Sequence, residues 1–175
     1  MNMKRLHKDQ RGLTIIELLV VIVLTGLITA AITTTFFQVF NMNARTANHM
    51  SALSQVQQAG KIVSQDILQA ENATAVGGLD PLLTLIWTEI EEGTQYNHEI
   101  DYSVADGELW RSESIDGGGP TMTRVAEYIN SDPTKTSCEL QGDVLIFTVT
   151  ATVGEGTWGE ESETRIYRVQ PRPGT

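Results

Sequence analysis

One carboxylate, that of Glu17, stands at the entrance of a long apolar segment. The 27 residues from Leu18 to Ala44 carry no formal charge. A carboxylate at the centre of a bilayer costs about 2.5–3.5 kcal/mol, whereas one at the interface costs little. Glu17 is therefore either a marker of the membrane surface that favours a helix N-terminus through the helix dipole, or one partner of an ion pair inside an apolar bundle. Spacing alone leaves both roles open.

The other residues with reactive side chains do not form a catalytic pattern. His7, His49 and His98 are scattered, so neither a metal triad nor a catalytic dyad is predicted. Cys138 is the only cysteine, which excludes an intrachain disulfide. The run Gly117–Pro120 lacks the Lys-Ser/Thr of a phosphate-binding loop and indicates a turn. The chain is therefore predicted not to be an enzyme.

Two acidic clusters offer oxygen atoms, the ligands that Ca²⁺ prefers. Their members are Glu89, Glu91 and Glu92 in one, and Glu155, Glu160, Glu161 and Glu163 in the other. Neither has the ordered D-x-D-x-D spacing of a calcium loop, which favours a solvated acidic surface. We expect no cofactor, with Ca²⁺ as the minor alternative.

Trp110 and Trp158 are either anchors for a partner or packing residues.

The element that must position Glu17 is a membrane helix. Twenty-seven helical residues reach about 40 Å, more than the ~30 Å hydrocarbon core of a bilayer. Residues 1–12 carry a net charge of +3, and residues 13–175 carry −13. The positive-inside rule places the basic end in the cytoplasm and the soluble part across the membrane. The acidic remainder argues against binding to nucleic acid.

The run from Arg11 to Glu17, RGLTIIE, resembles the N-terminal signature of type IV pilins and type II secretion pseudopilins. That signature is a basic leader ending in Gly, a hydrophobic first mature residue and Glu as the fifth. The resemblance covers residues 4–40. It implies that a prepilin peptidase cleaves between Gly12 and Leu13 and methylates the new amine of Leu13. It also implies that Glu17 pairs with the N-terminal amine of a neighbouring subunit in a filament.

The resemblance further implies the partners and the location of the chain. Its partners would be prepilin peptidase, other pilin or pseudopilin subunits and an assembly platform in the inner membrane. The chain would first be a single-pass inner-membrane protein with an extracytoplasmic head and then part of a filament. The pairing has a physical basis, because a buried carboxylate needs a counter-charge and cleavage creates one ammonium at Leu13. An axially staggered neighbour would supply it.

The periodicity beyond the membrane predicts an α+β fold. Apolar residues recur at helical spacing from Leu53 to Ala70, so one helix is predicted from about Leu13 to about Ala75, with Gly77 and Gly78 as its stop. The predicted divisions are a leader (1–12), a transmembrane and assembly helix (13–40), its amphipathic continuation (41–76) and a β-rich head (77–175). The amphipathic part is expected to pack on an antiparallel sheet.

Alternating residues predict the strands of that sheet. They cover 82–90, a hairpin at 100–111 that turns at Asp106-Gly107, a strand at 144–153 and a last strand at 164–169. Residues 122–129 fit either a strand or a short helix. The helix stripe, with Val63 at its centre, is expected to bury against Phe147, Val149 and Ala151.

Two features bear on the subclass. The pattern from Ile100 to Arg111 and the late apolar strand resemble the J/W-type minor pseudopilins. Thr34 stands where common major pilins carry a helix-kinking Pro, which favours a minor subunit. The lone Cys138 departs from the disulfide staple of many pilins without excluding the family.

Two other functions stay open from the sequence. The chain is alternatively an unprocessed single-pass binding protein or enzyme with an extracytoplasmic head. It is alternatively a secreted protein whose signal peptide is cut near Ala31, although the apolar stretch exceeds the usual h-region of 7–15 residues. The sequence does not distinguish secretion, adhesion, motility and DNA-uptake systems.

Overall fold

The structure, a computed structural model, describes residues 14–172. In that range one helix, α1 (Ile15–Gln69), is followed by eight strands. They are β1 (Asn72–Ala75), β2 (Leu83–Glu91), β3 (Thr94–Ala105), β4 (Glu108–Ile115), β5 (Thr121–Ala126), β6 (Ser137–Gln141), β7 (Val144–Val153) and β8 (Glu161–Val169). The chain forms two compact units, which divide between Met42 and Asn43.

In the first unit, α1 is largely apolar, and the hydroxyls of its threonines form hydrogen bonds within the helix. The hydroxyls of five threonines donate to backbone carbonyls one turn earlier in the helix, and these threonines are Thr25, Thr29, Thr33, Thr34 and Thr35. Because these hydroxyls donate to carbonyls of the same helix, they do not require hydrogen bonds to water. This is what a helix surrounded by hydrocarbon needs.

In the second unit, α1 buries one stripe. Its buried residues are Ala52, Val56, Ala59, Gly60, Val63 and Ile67. The predicted stripe is confirmed from Val56 onward, while Leu53 is only partly buried at its edge. The stripe belongs to one hydrophobic core that also contains Ile100, Tyr102, Phe147 and other residues of the strands. The helix of an α+β fold, packed on antiparallel strands, is thus confirmed.

The strands form two antiparallel sheets rather than one. The larger sheet has the order β1-β2-β3-β4-β5, and the smaller has the order β6-β7-β8. Backbone hydrogen bonds join the two sheets along the connection after β5: Ile129 donates to the Gly107 carbonyl at 2.7 Å, and Thr152 donates to the Tyr128 carbonyl at 2.8 Å. This connection ties the β3–β4 turn to β7.

The predicted helix end near Ala75 is wrong, because α1 ends at Gln69. Glu71 already donates its backbone N–H to the carbonyl of Ile86 in β2 at 2.9 Å. Residues 72–75 then form β1, which pairs with β2. The amphipathic segment predicted for residues 41–76 therefore includes the first strand of the head. Gly77, at φ 73°, lies in the turn after β1 instead of stopping the helix.

The strongest strand predictions are confirmed. β7 covers Val144–Val153, and its alternate residues from Leu145 to Val153 are buried. The β3–β4 hairpin turns at Asp106-Gly107, where both residues have positive φ, as a type I′ turn requires. The ambiguous segment at 122–129 is a strand up to Ala126. β8 begins at Glu161, three residues earlier than predicted.

Candidate processing and assembly site

Glu17 lies in the first turn of α1, which Thr14 caps. The backbone N–H of Glu17 donates to the Thr14 hydroxyl at 3.3 Å and to the Thr14 carbonyl at 3.0 Å. Threonine before the helix with glutamate three residues later is the spacing of a capping box. Sequence reasoning missed the cap, although the T-x-x-E spacing from Thr14 to Glu17 was the signal for it.

The carboxylate of Glu17 is exposed, and within residues 14–172 it forms no ion pair. Its neighbours Ile15 and Ile16 are 85% and 73% exposed. Gly12 and Leu13 lie outside the described residues, so cleavage between them and methylation of Leu13 stay predictions. The structure therefore places the predicted assembly residue on an open helix surface, one residue after two exposed isoleucines.

The apolar segment that follows Glu17 has the length and composition of a membrane span. Within the described range, α1 contains an 18-residue window with a mean hydropathy of 2.7, and none of that window is buried. A core helix of a soluble protein would bury such a window in its own fold. The exposed apolar surface therefore supports a membrane-anchored chain.

The comparisons with known proteins point to the same residues. The model of the prokaryotic N-terminal methylation motif matches residues 7–33. This prepilin-type match supports the type IV pilin and pseudopilin family. No curated protein and no solved structure matched the chain. The resemblance to J/W-type minor pseudopilins stays a prediction.

A second polar site, in the head, fastens α1 to the larger sheet. Asp66 of α1 accepts hydrogen bonds from the Tyr102 hydroxyl at 2.6 Å and from Arg111 Nε at 2.7 Å. Arg111 also donates to Glu113 at 2.8 Å. Burial raises the pKa of Tyr102 far above its usual value, and the hydrogen bond from Arg111 lowers the pKa of Glu113. These hydrogen bonds to the Asp66 carboxylate join β3 and β4 to the helix.

The network continues to His98, which sequence reasoning left isolated. Its Nδ1 lies 3.3 Å from Glu113 Oε1, and its Nε2 lies 3.2 Å from Glu89 Oε2. The ring stacks on Trp87 with centroids 5.2 Å apart and planes within 3°. The register of the β2–β3 hairpin places Trp87 opposite His98 and so produces this stack.

The remaining predicted candidates lie in separate places. Burial raises the pKa of the Cys138 thiol to about 12, which makes it unreactive at neutral pH. The acidic clusters lie at the β2–β3 hairpin and around the β7–β8 loop. In residues 14–172 no group of three or more His, Cys, Asp and Glu side chains is arranged to hold a metal ion. The expectation of no cofactor, with Ca²⁺ as the minor alternative, stays a prediction.

Proposed function

We propose that this chain is a structural subunit of a type IV pilus or type II secretion pseudopilus. The observation that carries the proposal is the match of residues 7–33 to the N-terminal methylation motif, on a chain whose following helix is apolar on all sides. Such a helix suits both storage in a bilayer and packing with copies of the same type of helix. The proposed role is assembly rather than catalysis.

Processing is the first step of the proposed function. Prepilin peptidase cleaves between Gly12 and Leu13, and the new amine of Leu13 is methylated. Cleavage removes the basic leader and leaves one ammonium at the end of the apolar helix. The exposed carboxylate of Glu17 then pairs with the Leu13 ammonium of a neighbouring subunit. Because each chain offers one such cation and one such anion, the pairing fixes the axial register between subunits.

We infer further that the subunit is a minor one, of the J/W type. The support is the hairpin from Ile100 to Arg111, the late apolar strand β7 and the absence of proline at residue 34. The inner-membrane orientation, with the head outside the cytoplasm, is supported by the +3 charge of residues 1–12.

The proposed processing is tested with Gly12→Val. The larger side chain beside the scissile bond should block cleavage, so full-length precursor should accumulate in the membrane. Gln10→Val, two residues away in the same leader, is the matched control and should be cleaved normally. Mass spectrometry of the N-terminal peptide of the wild-type protein should give Leu13 with one added methyl group.

Three outcomes contradict this processing. Normal trimming of Gly12→Val at Leu13 would show that the cleavage site is misassigned. Retention of Met1 in the wild-type protein would support the unprocessed membrane-anchored alternative. A mature N-terminus near Ala31 or Ile32 would support a secreted protein with a conventional signal peptide.

A further inference from the structure

Trp158 has no place in the core of the head. Its side chain is 89% exposed, whereas Trp87 is 9% exposed. It lies in the loop between β7 and β8 (residues 154–160), which contains the glycines Gly154 and Gly156 at positive φ. An exposed indole keeps a large apolar surface in water, which is unfavourable, although water can accept a hydrogen bond from its N–H group. A surface that is apolar on one side and hydrated on the other would suit this side chain better.

Hydrogen bonds within the loop order the backbone that carries Trp158. Thr157 donates from its backbone N–H and its hydroxyl to the Gly154 carbonyl, at 2.9 and 2.6 Å. Glu160 accepts a hydrogen bond from the backbone N–H of Gly156 at 2.9 Å. These bonds order the backbone of the loop on both sides of Trp158, and the indole is exposed in this arrangement.

The loop is also attached to α1 close to the membrane segment. Arg45 Nε donates to the Trp158 carbonyl at 3.3 Å, and Asn48 Nδ2 donates to the Gly159 carbonyl at 2.7 Å. Arg45 follows Phe40, the last aromatic residue of the apolar segment, by five residues. Five residues span at most about 18 Å even when fully extended. The chain therefore sets an upper limit on the distance between the end of the apolar segment and Arg45, the residue that contacts the Trp158 loop.

We propose that Trp158 is an interfacial anchor whose indole inserts among the headgroups of the bilayer that holds the apolar segment. Tryptophan is enriched at this depth because its ring is apolar and its N–H is polar. Arg45 supports the same location, since its long side chain can extend to the headgroup level. The inference rests on the membrane anchoring in the proposed function and concerns the subunit before it enters a filament.

The charges of the loop define the kind of lipid surface. Glu155 is exposed, and the carboxylate of Glu160 is used inside the loop. Arg45 is the cation that contacts the loop. Attraction to anionic lipids therefore does not drive the contact, and a zwitterionic phosphatidylcholine surface should suffice.

The test uses tryptophan fluorescence of the processed protein, with its membrane segment and head intact, in phosphatidylcholine vesicles. The emission of Trp158 is the difference between the wild-type protein and Trp158→Phe, which removes the background of Trp87 and Trp110. Phosphatidylcholine brominated on its acyl chains near the headgroup should quench most of this difference emission, which should also be blue-shifted from its value in water. Adding anionic phosphatidylglycerol should not increase the quenching.

A control separates failure of this inference from failure of membrane anchoring. Phe40→Trp, made in the Trp158→Phe background, places an indole in the apolar segment itself. If that indole is quenched and Trp158 is not, the anchor stands and the interfacial role of Trp158 is overturned. If neither is quenched, the membrane span is wrong and the inference falls with it. Trp158 emission that is blue-shifted but unquenched by bromolipid would reveal a protein contact and overturn the lipid assignment.

Discussion

The two halves of α1 handle apolar side chains in opposite ways. In the first half, Leu, Val and Ile residues from Leu18 to Ile32 surround the helix and are at least half exposed. In the second half, the small and apolar residues on one face, from Ala52 to Ile67, form a stripe with almost no exposure. A helix apolar on all sides suits lipid or other helices, whereas an amphipathic helix suits one covering layer. The surface of the first half is therefore suited to lipid or other helices, and the surface of the second half is suited to the covering strands of the head.

The acidic residues of the two halves show the same contrast. Asp66 accepts hydrogen bonds from Tyr102 and Arg111 of its own head. Glu17 has an exposed carboxylate and, among the described residues, no ion-pair partner. A charge satisfied inside the subunit stabilises that subunit. A charge at the edge of an apolar segment is available to another molecule, which is consistent with the assembly role proposed for the first half of the helix.

The largest effect on the head is expected from Val63→Asp. This change places an unpaired carboxylate in the buried stripe and should lower the free energy of unfolding by about 4 kcal/mol. Gln65→Asp is the matched control, because Gln65 is exposed two residues away on the same helix. Urea unfolding of the full chain in detergent micelles measures both. Equal stability of the two variants would show that the stripe is not a core in solution.

A smaller loss is expected from Arg111→Ala, which leaves the carboxylates of Asp66 and Glu113 without their counter-charge. The Arg111 side chain is 18% exposed, so partial screening limits the expected loss to about 2–3 kcal/mol. Arg124→Ala is the control in the adjacent strand, because the Arg124 side chain is 49% exposed in the ion pairs it forms within residues 14–172, and its loss should change stability little.

The difference in stability between the wild-type protein and Arg111→Ala should depend on pH. The folded-state pKa of Glu113 lies below its ordinary value of 4.5, mainly because Arg111 donates a hydrogen bond to it. Ionised Glu113 therefore stabilises the fold above that value, and the stabilisation is lost as the pH falls through the lowered pKa. The gap in unfolding free energy between wild type and Arg111→Ala should narrow between neutral pH and about pH 3. A constant gap would contradict the role of the Arg111–Glu113 pair.

The smallest expected change in head stability compares two glycines, one from each half of the helix. A methyl group on Gly60 would overlap the ring of Tyr167, whose hydroxyl donates to the Val56 carbonyl at 3.0 Å. Gly60→Ala should therefore cost about 1–3 kcal/mol by overpacking. Gly26 has no neighbouring atom within 4 Å of the added methyl group, so Gly26→Ala should leave the unfolding of the head unchanged.

A double-mutant cycle checks the cause of the Gly60 effect. In a Tyr167→Ala background, the added methyl group has space, and most of the cost of Gly60→Ala should disappear. If the cost persists without the ring, it comes from somewhere other than contact between β8 and α1.

Local patterns made part of the fold predictable from sequence. The stripe through Val63, the alternation in β7 and the Asp106-Gly107 turn each follow from spacing or turn chemistry within a few residues. The helix end was mispredicted because the pairing of β1 with β2, not a local signal, decides where helix gives way to strand. The division into two sheets likewise depends on pairings that no single segment specifies.

The candidate site divides in the same way. The position of Glu17 in the first helical turn follows from the apolar run after it. The T-x-x-E spacing from Thr14 to Glu17 is sufficient to predict the Thr14 cap. The Asp66–Arg111 contact joins residues 45 apart in sequence, and His98 meets Glu113 only through the register of β3 with β4. Such contacts require the assembled sheet, so no spacing in the sequence predicts them.

The measurement that tests the account most directly is recovery of partner subunits with tagged Glu17→Gln. Glutamine is also a capping-box residue, so this change keeps the helix start and removes only the charge. If Glu17 pairs with the Leu13 ammonium of a neighbour, the lost counter-charge should cost about 3–5 kcal/mol in assembly. Processing at Leu13 should continue, and Thr14→Ala, which removes the cap but keeps the charge, should assemble far better than Glu17→Gln.

The account predicts that processed Glu17→Gln is recovered from membranes without its partner subunits and fails to enter filaments. Wild-type recovery of partners together with normal filament formation would contradict it. In that case the carboxylate of Glu17 would serve only the helix start and the membrane surface.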